Sequence, residues 1–352
     1  MLTAAPASGD LLAPLARESA LLLAVSGGPD SVALMLLAAR WPPRDAGVKI
    51  VVATVDHGLR ENSREEALQV ARWADALGFE HRLLIWDGPK PATRLQEAAR
   101  DARYALLCAC AREIGREDAR ECAVVTAHHA DDQAETILFR LTRGSGVAGL
   151  SGMASASTRD GVRLLRPLLS VPKSALEAVC VAAAHPFLRD PSNENTRFAR
   201  TKLRALSATL AAEGLDASAL LRLGERAARA EAALSWSVAQ ASTTAIVTRD
   251  RDETKLDSMV LRDLPREILR RLLAEEIGRR GAPQPRLDRL ERAAKIVEQA
   301  LAEGVSRRIT LAGLSLAVNN REVALTAEPP RFRGCAKPET NALADQKTKQ
   351  IQ

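Results

Sequence analysis

The sequence predicts an α/β fold, in which a doubly wound parallel sheet is followed by a smaller, mainly helical domain. Three observations support this fold class. In the first half of the chain, apolar runs of strand length alternate with segments of helical periodicity, which is typical of repeated strand–helix–strand units. Beyond Arg204 the sequence changes to long Ala-, Leu-, Arg- and Glu-rich segments of helical character. The length of 352 residues exceeds the size at which one core usually keeps growing, which favours two domains.

The strands of the predicted parallel sheet lie near residues 21–25, 49–55, 81–86, 122–127 and 162–166. Two of the intervening helices begin with the residue pattern of a capping box, at Ser63 and at Thr93, and Gly78 marks the end of the first of them. Helices that connect parallel strands cover both faces of the sheet, and ligands then bind at the carboxyl ends of the strands. We therefore expect the functional residues at these ends.

The second half of the chain is predicted to contain three helices and a short β-hairpin. The helices cover residues 216–243, 265–280 and 287–302. Asp216 is the predicted cap of the first, and Gly281 and Gly304 follow the other two. Short strands are predicted at 308–311, 316–318 and 323–325, with a turn at Asn319–Asn320.

These elements divide the chain into a catalytic domain over residues 1–205, a basic helical domain over 206–327 that ends in the hairpin, and a disordered tail over 328–352. The positive charge lies in the second part. Residues 1–199 contain 23 of the 50 Lys and Arg and 24 of the 44 Asp and Glu, which leaves 27 basic and 20 acidic residues after them. A basic half beside a neutral half indicates a polyanionic partner such as RNA or DNA, with solvated arginine-rich helix faces as the alternative.

The most informative segment is Ser26-Gly27-Gly28-Pro29-Asp30-Ser31, which follows the buried strand directly. Its two glycines allow an anion to approach the main chain, and the helix predicted to begin at Ser31 directs free N–H groups toward that anion. Pro29 suits a first helical turn. The segment has neither the Gly-Lys-Ser/Thr ending of a Walker loop nor a G-x-G-x-x-G pattern. It therefore predicts a phosphate-binding loop of another type, although a glycine turn that only joins strand to helix is the simpler alternative.

Titratable side chains follow two other predicted strands. Asp56 and His57 follow the second strand, and the segment from His128 to Thr136 follows the fourth. Asp132 and Glu135 are three residues apart and would share one helix face. Two such carboxylates could bind an ammonium group, hold magnesium on ATP or act as a base. Helix capping alone would account for one of Asp131 and Asp132 but not for the whole segment.

Arginines occur in two further segments. Arg143 lies in a glycine-rich loop after the helix of Glu135, where it is available to a phosphate or carboxylate if the loop covers the substrate. A simple helix stop is the alternative interpretation of that loop. Arg197, Arg200 and Arg204 would share one face of a helix that enters the basic half, with solvated charge as the alternative.

The ordered set of motifs closely resembles the tRNA(Ile)-lysidine synthetases, which belong to the N-type ATP pyrophosphatases with a PP-loop. The resemblance is detailed over residues 20–205 and rests on Ser26–Ser31, Val55–Arg60, His128–Thr136, Arg140–Gly146, Arg166–Leu169 and Asp190–Asn193 with Arg200 and Arg204. It implies a fold like that of the adenine nucleotide alpha hydrolases in the catalytic domain, followed by a helical tRNA-binding domain over residues 206–327. It also implies the reaction: ATP adenylates the wobble cytidine of an isoleucine tRNA with a CAU anticodon, and the ε-amine of free L-lysine then displaces AMP.

The resemblance implies roles for individual residues. ATP would bind to Ser26, Gly27, Gly28, Pro29, Asp30 and Ser31, and Asp30 would hold Mg²⁺. Lysine would be recognised by Asp132, Glu135 and Arg200, and tRNA by Arg197 and Arg204. The predicted catalytic residues are Asp30, Asp56, His128, Asp132 and Arg143. Our own hypothesis is that His128 accepts the proton that the lysine amine must lose before it attacks.

Two alternatives stay open. One is a tRNA thiolase with the same loop, which would normally need paired cysteines, and no C-x-x-C occurs here. The other is an ATP-dependent RNA-binding protein without catalysis. The first 20 residues lack the pattern of a secretory leader and no apolar run reaches membrane-spanning length, so a cytoplasmic protein is expected. A homodimer is compatible with the sequence.

Overall fold

The computed structural model describes residues 11–45, 47–60, 62–189, 206 and 209–328. The chain forms two compact units, which divide between Glu231 and Ala232. The boundary that we predict from the sequence near residue 205 falls in a part of the chain outside the described residues.

The first unit is built on a six-stranded sheet in the order β3-β2-β1-β4-β6-β5. Its strands are β1 Ala20–Ala24, β2 Lys49–Asp56, β3 Glu80–Ile85, β4 Cys122–Thr126, β5 Ala156–Arg159 and β6 Val162–Leu165. The five predicted strands are confirmed and pair in parallel, whereas the additional edge strand β5 is antiparallel to β6. The helices are α1 Pro29–Ala39, α2 Ser63–Ala76, α3 Leu95–Glu117, α4 Ala130–Leu141 and α5 Lys173–Ala182, with single turns at Pro42–Asp45 and Val147–Leu150.

The central strand β1 explains why the sheet is buried on both faces. Leu21 and Leu23 belong to a core cluster that includes Met35 of α1, whereas Leu22 belongs to a second cluster with Leu107 of α3. Successive side chains of a strand point to opposite faces. The uninterrupted apolar run of β1 therefore packs against helices on both sides, as the doubly wound prediction requires.

The predicted capping boxes of two helices are wrong. Asn62, not Ser63, occupies the cap position of α2, and the Ser63 hydroxyl instead donates a hydrogen bond to Asp56 Oδ1 at 2.8 Å. The helix α3 begins at Leu95 and is preceded by Arg94 at φ 57°, so Thr93 does not cap it. At Ser63 the hydrogen bond to the end of β2 takes the place of the predicted cap. Gly78 follows the end of α2 at φ 70°, as predicted.

The second unit contains a five-stranded antiparallel sheet in the order β7-β8-β11-β10-β9. Its strands are β7 Ile246–Arg249, β8 Glu253–Asp257, β9 Arg307–Leu311, β10 Leu314–Val318 and β11 Glu322–Ala327. The helices are α6 Ala217–Ala245, which spans the boundary between the units, α7 Arg266–Arg279 and α8 Leu287–Glu303, with one short turn at Ser258–Arg262. The three predicted helices and three predicted strands are confirmed, and Asp216 accepts a hydrogen bond from Ala219 N at 2.7 Å as a cap.

The second unit contains more strand than the sequence predicts. The strands β7 and β8 were not predicted, because both are short and β8 is rich in charged and hydroxyl side chains. Within the described ranges of both units, no helix is long and apolar enough to cross a membrane.

Candidate active site

The candidate site lies at the carboxyl edge of the first sheet, where β1 and β4 are direct neighbours. The segment Ser26–Ser31 follows β1, and His128, His129 and the start of α4 follow β4. The chain turns from one side of the sheet to the other between these two strands, and doubly wound sheets bind their ligands in the crevice at such a point. Two motifs that are far apart in the sequence thus lie on adjacent strand ends.

The segment Ser26–Ser31 forms a tight turn into α1. Gly27 has φ 88°, Gly28 occupies the cap position, and Pro29 is the first helical residue. The Ser31 hydroxyl donates to Gly28 O at 3.0 Å and accepts from Ser26 N at 3.2 Å, which closes the turn on itself. The first N–H groups of α1 have no partner within the helix, so this end of α1 is suited to an anion.

The environment of Gly27 leaves no room for a side chain. A Cβ atom at this position would lie 2.6 Å from Leu188 Cδ1 and 3.1 Å from Val70 Cγ2. The backbone N of Leu188 also donates to Gly27 O at 2.8 Å. Leu188 therefore holds the loop, a contact that no pattern in the sequence indicates.

Gly27→Ala is expected to weaken ATP binding about tenfold, because a left-handed conformation costs a residue with a Cβ on the order of 1–2 kcal/mol. The contact with Leu188 adds to that cost. Equilibrium binding of ATP to the purified protein measures the effect. Gly161→Ala is the matched control, since Gly161 has φ 78°, a Cβ added there would meet no atom within 4 Å, and the residue lies away from the loop. Equal affinities of the two variants would contradict the assignment of the loop.

Asp30 is the carboxylate of the loop. Its Oδ1 atom is buried without a hydrogen-bond partner among the described residues, and its Oδ2 atom lies 3.5 Å from His129 Nε2. A buried carboxylate oxygen without a partner beside a phosphate-binding turn fits the way in which Mg²⁺ is held, by one or two carboxylates together with substrate phosphates. The described residues contain no cluster of three or more His, Cys, Asp or Glu that could form a protein-only metal site.

His129 connects the loop with α4. It is buried and caps α4, and its backbone N donates to Asp132 Oδ2 at 3.2 Å. Its ring nitrogens lie within 3.6 Å of oxygens of Asp30, Asp131 and Asp132. Burial opposes protonation, but the hydrogen bonds to Asp131 and Asp30 and the charge of Asp132 outweigh it and raise the pKa of His129 to about 10.

The protonated form of His129 is therefore the relevant one at neutral pH. The ring Nδ1 also lies 3.4 Å from the backbone N of Asp132, and that contact would need a neutral ring. Three carboxylates around one imidazole outweigh this single long contact. In the same cluster, the hydrogen bond with His129 lowers the pKa of Asp131 to about 2.

His128 has the opposite environment. Its Nδ1 atom forms a hydrogen bond with Thr126 Oγ1 at 2.8 Å. Burial, followed by the charges of Arg166, Arg100 and Arg103, lowers the pKa of His128 to about 3. His128 is thus a neutral ring and a weak base at neutral pH, which favours a hydrogen-bonding role over the proton acceptance that we hypothesised from the sequence.

Asp132 and Glu135 both lie on the first turns of α4 and are half-buried. The predicted shared helix face is therefore present at the carboxyl edge. Asp132 also completes the cap of α4 through His129, so the capping alternative and a substrate role both apply to the same carboxylate.

Asp56 is buried at the end of β2. Its Oδ1 atom accepts from Gly58 N at 2.9 Å and from the Ser63 hydroxyl. Burial opposes ionisation, but these two hydrogen bonds outweigh it and keep the pKa of Asp56 below its usual value. Through these two hydrogen bonds Asp56 stabilises the connection between β2 and α2.

A group of basic residues at this edge was not predicted from the sequence. Arg100 and Arg103 lie on the first turns of α3, and their charges lower the pKa of His128. The side chain of Arg103 is exposed to solvent on one side. The neighbouring protein still removes enough water from its guanidinium to lower the pKa. The signal that could have found them is their position, because the amino end of a helix that follows a parallel strand lies at the carboxyl edge.

The loop after α4 is held by Arg140, which donates to Gly149 O at 2.9 Å and to Gly152 O at 2.7 Å. Arg143 is exposed, and its guanidinium lies 4.1 Å from the centre of the Phe139 ring. Arg197, Arg200 and Arg204 lie outside the described residues, and their assignments stay predictions.

The fold and the geometry of the glycine-rich turn define a nucleotide-binding protein of the PP-loop class, and residues 4–209 match the family of the PP-loop domain. Among solved structures, the U34-tRNA thiolase NcsA from Methanococcus maripaludis shares the fold, with a TM-score of 0.50 and 14% identity over 62% of this chain and 76% of that one.

Two curated relatives extend over nearly the whole chain. A tRNA(Ile)-lysidine synthase from Methylobacterium sp. (strain 4-46) is 47% identical over 323 residues, which are 90% of this chain and 91% of the relative. Another tRNA(Ile)-lysidine synthase, from Bradyrhizobium sp. (strain BTAi1 / ATCC BAA-1182), is 45% identical over 341 residues, which are 92% of this chain and 94% of the relative. The chain belongs to the tRNA(Ile)-lysidine synthase family.

Proposed function

We propose that this protein is an ATP-dependent ligase that joins free L-lysine to carbon 2 of the wobble cytidine in an isoleucine tRNA with a CAU anticodon. The products are the lysidine-containing tRNA, AMP and pyrophosphate. ATP, lysine and tRNA meet in the cytoplasm, which is where we place the protein.

The observation that carries the proposal is the position of two chemically different surfaces on adjacent strand ends. The phosphate-binding turn follows β1, and the carboxylates of α4 follow β4. His129 lies between them, 3.5 Å from Asp30 and 3.4 Å from Asp132. An enzyme that transfers a cationic amine to a centre activated by ATP needs an anion site and a cation site side by side.

In the first step, oxygen 2 of the cytidine attacks the α-phosphate of ATP, and the bond between the α- and β-phosphates breaks. The N–H groups at the start of α1 stabilise the charge that develops on the departing pyrophosphate. Asp30 would hold Mg²⁺, which when bound neutralises phosphate charge. The pyrimidine oxygen, a poor leaving group, is now part of an AMP ester.

In the second step, the ε-amine of lysine attacks carbon 2, and AMP leaves with the original oxygen. The ordinary pKa of a lysine side chain is about 10.4, so the bound ammonium must first lose a proton. Asp132 and Glu135 attract that ammonium, and we assign the proton transfer to this carboxylate pair rather than to His128, whose pKa of about 3 makes it the weaker acceptor. Arg200 is the proposed partner of the lysine carboxylate.

The thiolase alternative is less well supported by the cysteines. Burial raises the pKa of Cys110 and Cys180 to about 11 and that of Cys122 to about 12, so these thiols resist ionisation. Sulfur transfer depends on thiolates. Cys180 does contact the loop, but its buried thiol donates to Pro29 O at 3.4 Å and so supports the turn rather than facing a substrate.

The test is to incubate the full chain with ATP, labelled lysine and an isoleucine tRNA transcript. Label attached to the wobble cytidine, with AMP as the second product, supports the proposal. Formation of ADP, or no label on the tRNA in the presence of AMP release, contradicts it. A methionine tRNA transcript with the same anticodon serves as the specificity control.

Glu135→Gln is expected to separate the two steps. Removing one negative charge from the amine site should lower lysine incorporation about a hundredfold, because the bound ammonium of lysine then loses one of its ionic partners. Release of pyrophosphate in a single turnover without lysine should stay close to the unaltered rate. Glu113→Gln, an exposed change on α3, is the control for both measurements. Normal lysidine formation by Glu135→Gln would remove Glu135 from the amine site.

A further inference from the structure

The segment that follows α5 contacts the glycine-rich turn, and the proposed reaction assigns it no role. We call this segment, residues 183–189, the strap. Ala184, at φ 49°, turns the chain out of α5. The strap then passes along the turn, where Leu188 N donates to Gly27 O at 2.8 Å. The strap and the turn both belong to the first unit, so this contact lies within one compact body.

The strap is anchored to the core of the first unit. Phe187 and Leu188 pack against the core cluster that contains Leu21 of β1. The ring of His185 meets the ring of Trp73 on α2 edge-on, with the ring centres 5.2 Å apart. These contacts are made with the sheet and its helices, not with the turn. The core therefore determines where the backbone N–H of Leu188 lies.

The hydrogen bond from Leu188 supplies a donor that the turn itself lacks. The carbonyl of Gly28 accepts from Val32 N at 2.9 Å and from the Ser31 hydroxyl at 3.0 Å, so α1 holds it. The carbonyl of Gly27 has no such partner in α1, and among the described residues its hydrogen bond comes from Leu188 N. A carbonyl oxygen that faced a phosphate would repel it. The strap keeps this oxygen directed at Leu188.

The same hydrogen bond sets the direction of the Gly28 N–H. In a planar trans peptide the C=O of one residue and the N–H of the next point in opposite directions. Because Gly27 O points at the strap, Gly28 N–H points to the other side of the turn. Gly27 is buried but Gly28 is only half-buried, and within the described ranges the Gly28 N–H has no acceptor. An unpartnered N–H at the start of a helix is available to an anion.

We propose that Leu188 is a positioning residue for the pyrophosphate that leaves ATP. Its N–H fixes the Gly27–Gly28 peptide, so that the Gly28 N–H is already aimed at the charge that develops on the leaving group. Donors that are fixed before the reaction stabilise a transition state without having to reorient. The identity of the anion as pyrophosphate rests on the proposed function, whereas the fixing of the peptide does not.

The most direct experiment removes only this hydrogen bond. The α-hydroxy analogue of leucine, incorporated at position 188 of the full chain, replaces the peptide N–H by an ester oxygen. Single-turnover release of pyrophosphate at saturating ATP and tRNA transcript should become about tenfold slower, a smaller loss than deletion of a charge-stabilising donor causes, because Gly28 keeps its N–H. An ester with the rate of the unaltered protein would overturn the proposal.

The matched control is the same ester at Leu77. This leucine packs against the same core cluster, and its N–H donates to Trp73 O at 3.2 Å. It follows the end of α2, at the edge of the sheet opposite to the turn. The Leu77 ester should release pyrophosphate at the unaltered rate. Equal slowing by the two esters would show that any lost backbone hydrogen bond has this effect, and would refute a special role of Leu188.

The rate constant distinguishes positioning from folding. A residue that only stabilised the fold would change the amplitude of the single turnover, since fewer molecules would be folded, but not its rate constant. Leu188→Ala should slow release because it shortens the side chain that anchors the strap. Leu188→Met, which keeps a similar volume, should restore most of the rate. A loss of amplitude alone in Leu188→Ala would reduce Leu188 to a structural role.

A double variant tests the contact with Gly27 without using the reaction. A Cβ added at Gly27 would lie 2.6 Å from Leu188 Cδ1, so part of the penalty of Gly27→Ala should disappear when Leu188 is also changed to Ala. The readout is the affinity of the full chain for inorganic pyrophosphate with Mg²⁺, measured by titration. The double variant should lose less affinity than the product of the two single losses. Strictly multiplicative losses would overturn the proposed contact.

These outcomes separate the inference from the proposed function. A protein whose affinity for pyrophosphate depends on Leu188, but which forms no lysidine, would refute the proposed reaction and support the role of the strap. Normal lysidine formation, with unaltered release rate and pyrophosphate affinity in the Leu188 ester, would refute the role of the strap alone.

Discussion

Asp30→Ala is expected to lower the release of AMP and pyrophosphate by at least about two to three orders of magnitude. Typical losses of that size follow when one charge-stabilising group is removed from a catalytic site. Asp30 is the loop carboxylate with a buried, unpartnered oxygen among the described residues, and it faces the imidazolium of His129 at 3.5 Å. The measurement is pyrophosphate release in a single turnover with saturating ATP and tRNA transcript.

Asp131→Ala is the control for this change. Asp131 also contacts the His129 ring, at 3.6 Å, but it does so at the other ring nitrogen and accepts from Lys173 N. A much smaller loss is therefore expected. If both variants lose activity equally, the effect of Asp30 acts through the charge of His129 and not through the phosphates of ATP.

Arg249→Met is expected to destabilise the second unit by about 3 kcal/mol, because the change leaves the fully buried carboxylate of Glu276 without its main partner, although the Arg249 side chain itself is 40% exposed. Glu276 is fully buried, and its two oxygens accept from Arg249 Nη2 at 2.6 Å and Nε at 3.1 Å. Among the described residues, the carboxylate would then keep only Arg279 Nε at 3.6 Å. Urea unfolding, followed by hydrogen exchange of the backbone amides of the second unit, measures the free energy of unfolding.

The double change Arg249→Met with Glu276→Met should recover much of that loss, because two apolar side chains of similar length leave no buried charge. The glycine-rich turn lies in the first unit, so ATP binding by Arg249→Met should be unaltered at low temperature. A double variant that is as unstable as the single one would show that the packing around this pair, rather than its charge, determines the stability.

The first unit could be predicted from the sequence because its signals are local and strong. The run Leu21-Leu22-Leu23 is apolar on both faces of a strand, and the glycines that follow leave few other structures open. The edge strand β5 was missed because its side chains alternate between exposed and half-buried, which gives no apolar run. In the second unit, β7 and β8 were missed because they are short and β8 is rich in charged and hydroxyl side chains, and the place of β8 in the sheet depends on pairing with β11, which lies much later in the chain.

The sequence predicts that the Ser26–Ser31 turn and the segment after β4 meet at one sheet edge, but it does not predict the electrostatics there. The pattern His128-His129 does not reveal that one ring is buried and feels the charges of several arginines, whereas the other lies among carboxylates, because those neighbours come from several different elements. Arg100 and Arg103 were missed because, within the sequence of α3, they cannot be distinguished from solvated charge on an ordinary helix. Only the three-dimensional arrangement of the sheet edge gives these residues a role.

The imidazolium of His129 has a consequence for how the two halves of the reaction communicate. A single shared cation makes Asp30 and Asp132 parts of one electrostatic unit, so the free-energy effects of changing them are not additive. A ligand that withdraws charge from one carboxylate strengthens the hold of His129 on the other. In the proposed reaction, nucleotide at the turn and amine at α4 would therefore each affect the binding of the other through the shared proton of His129.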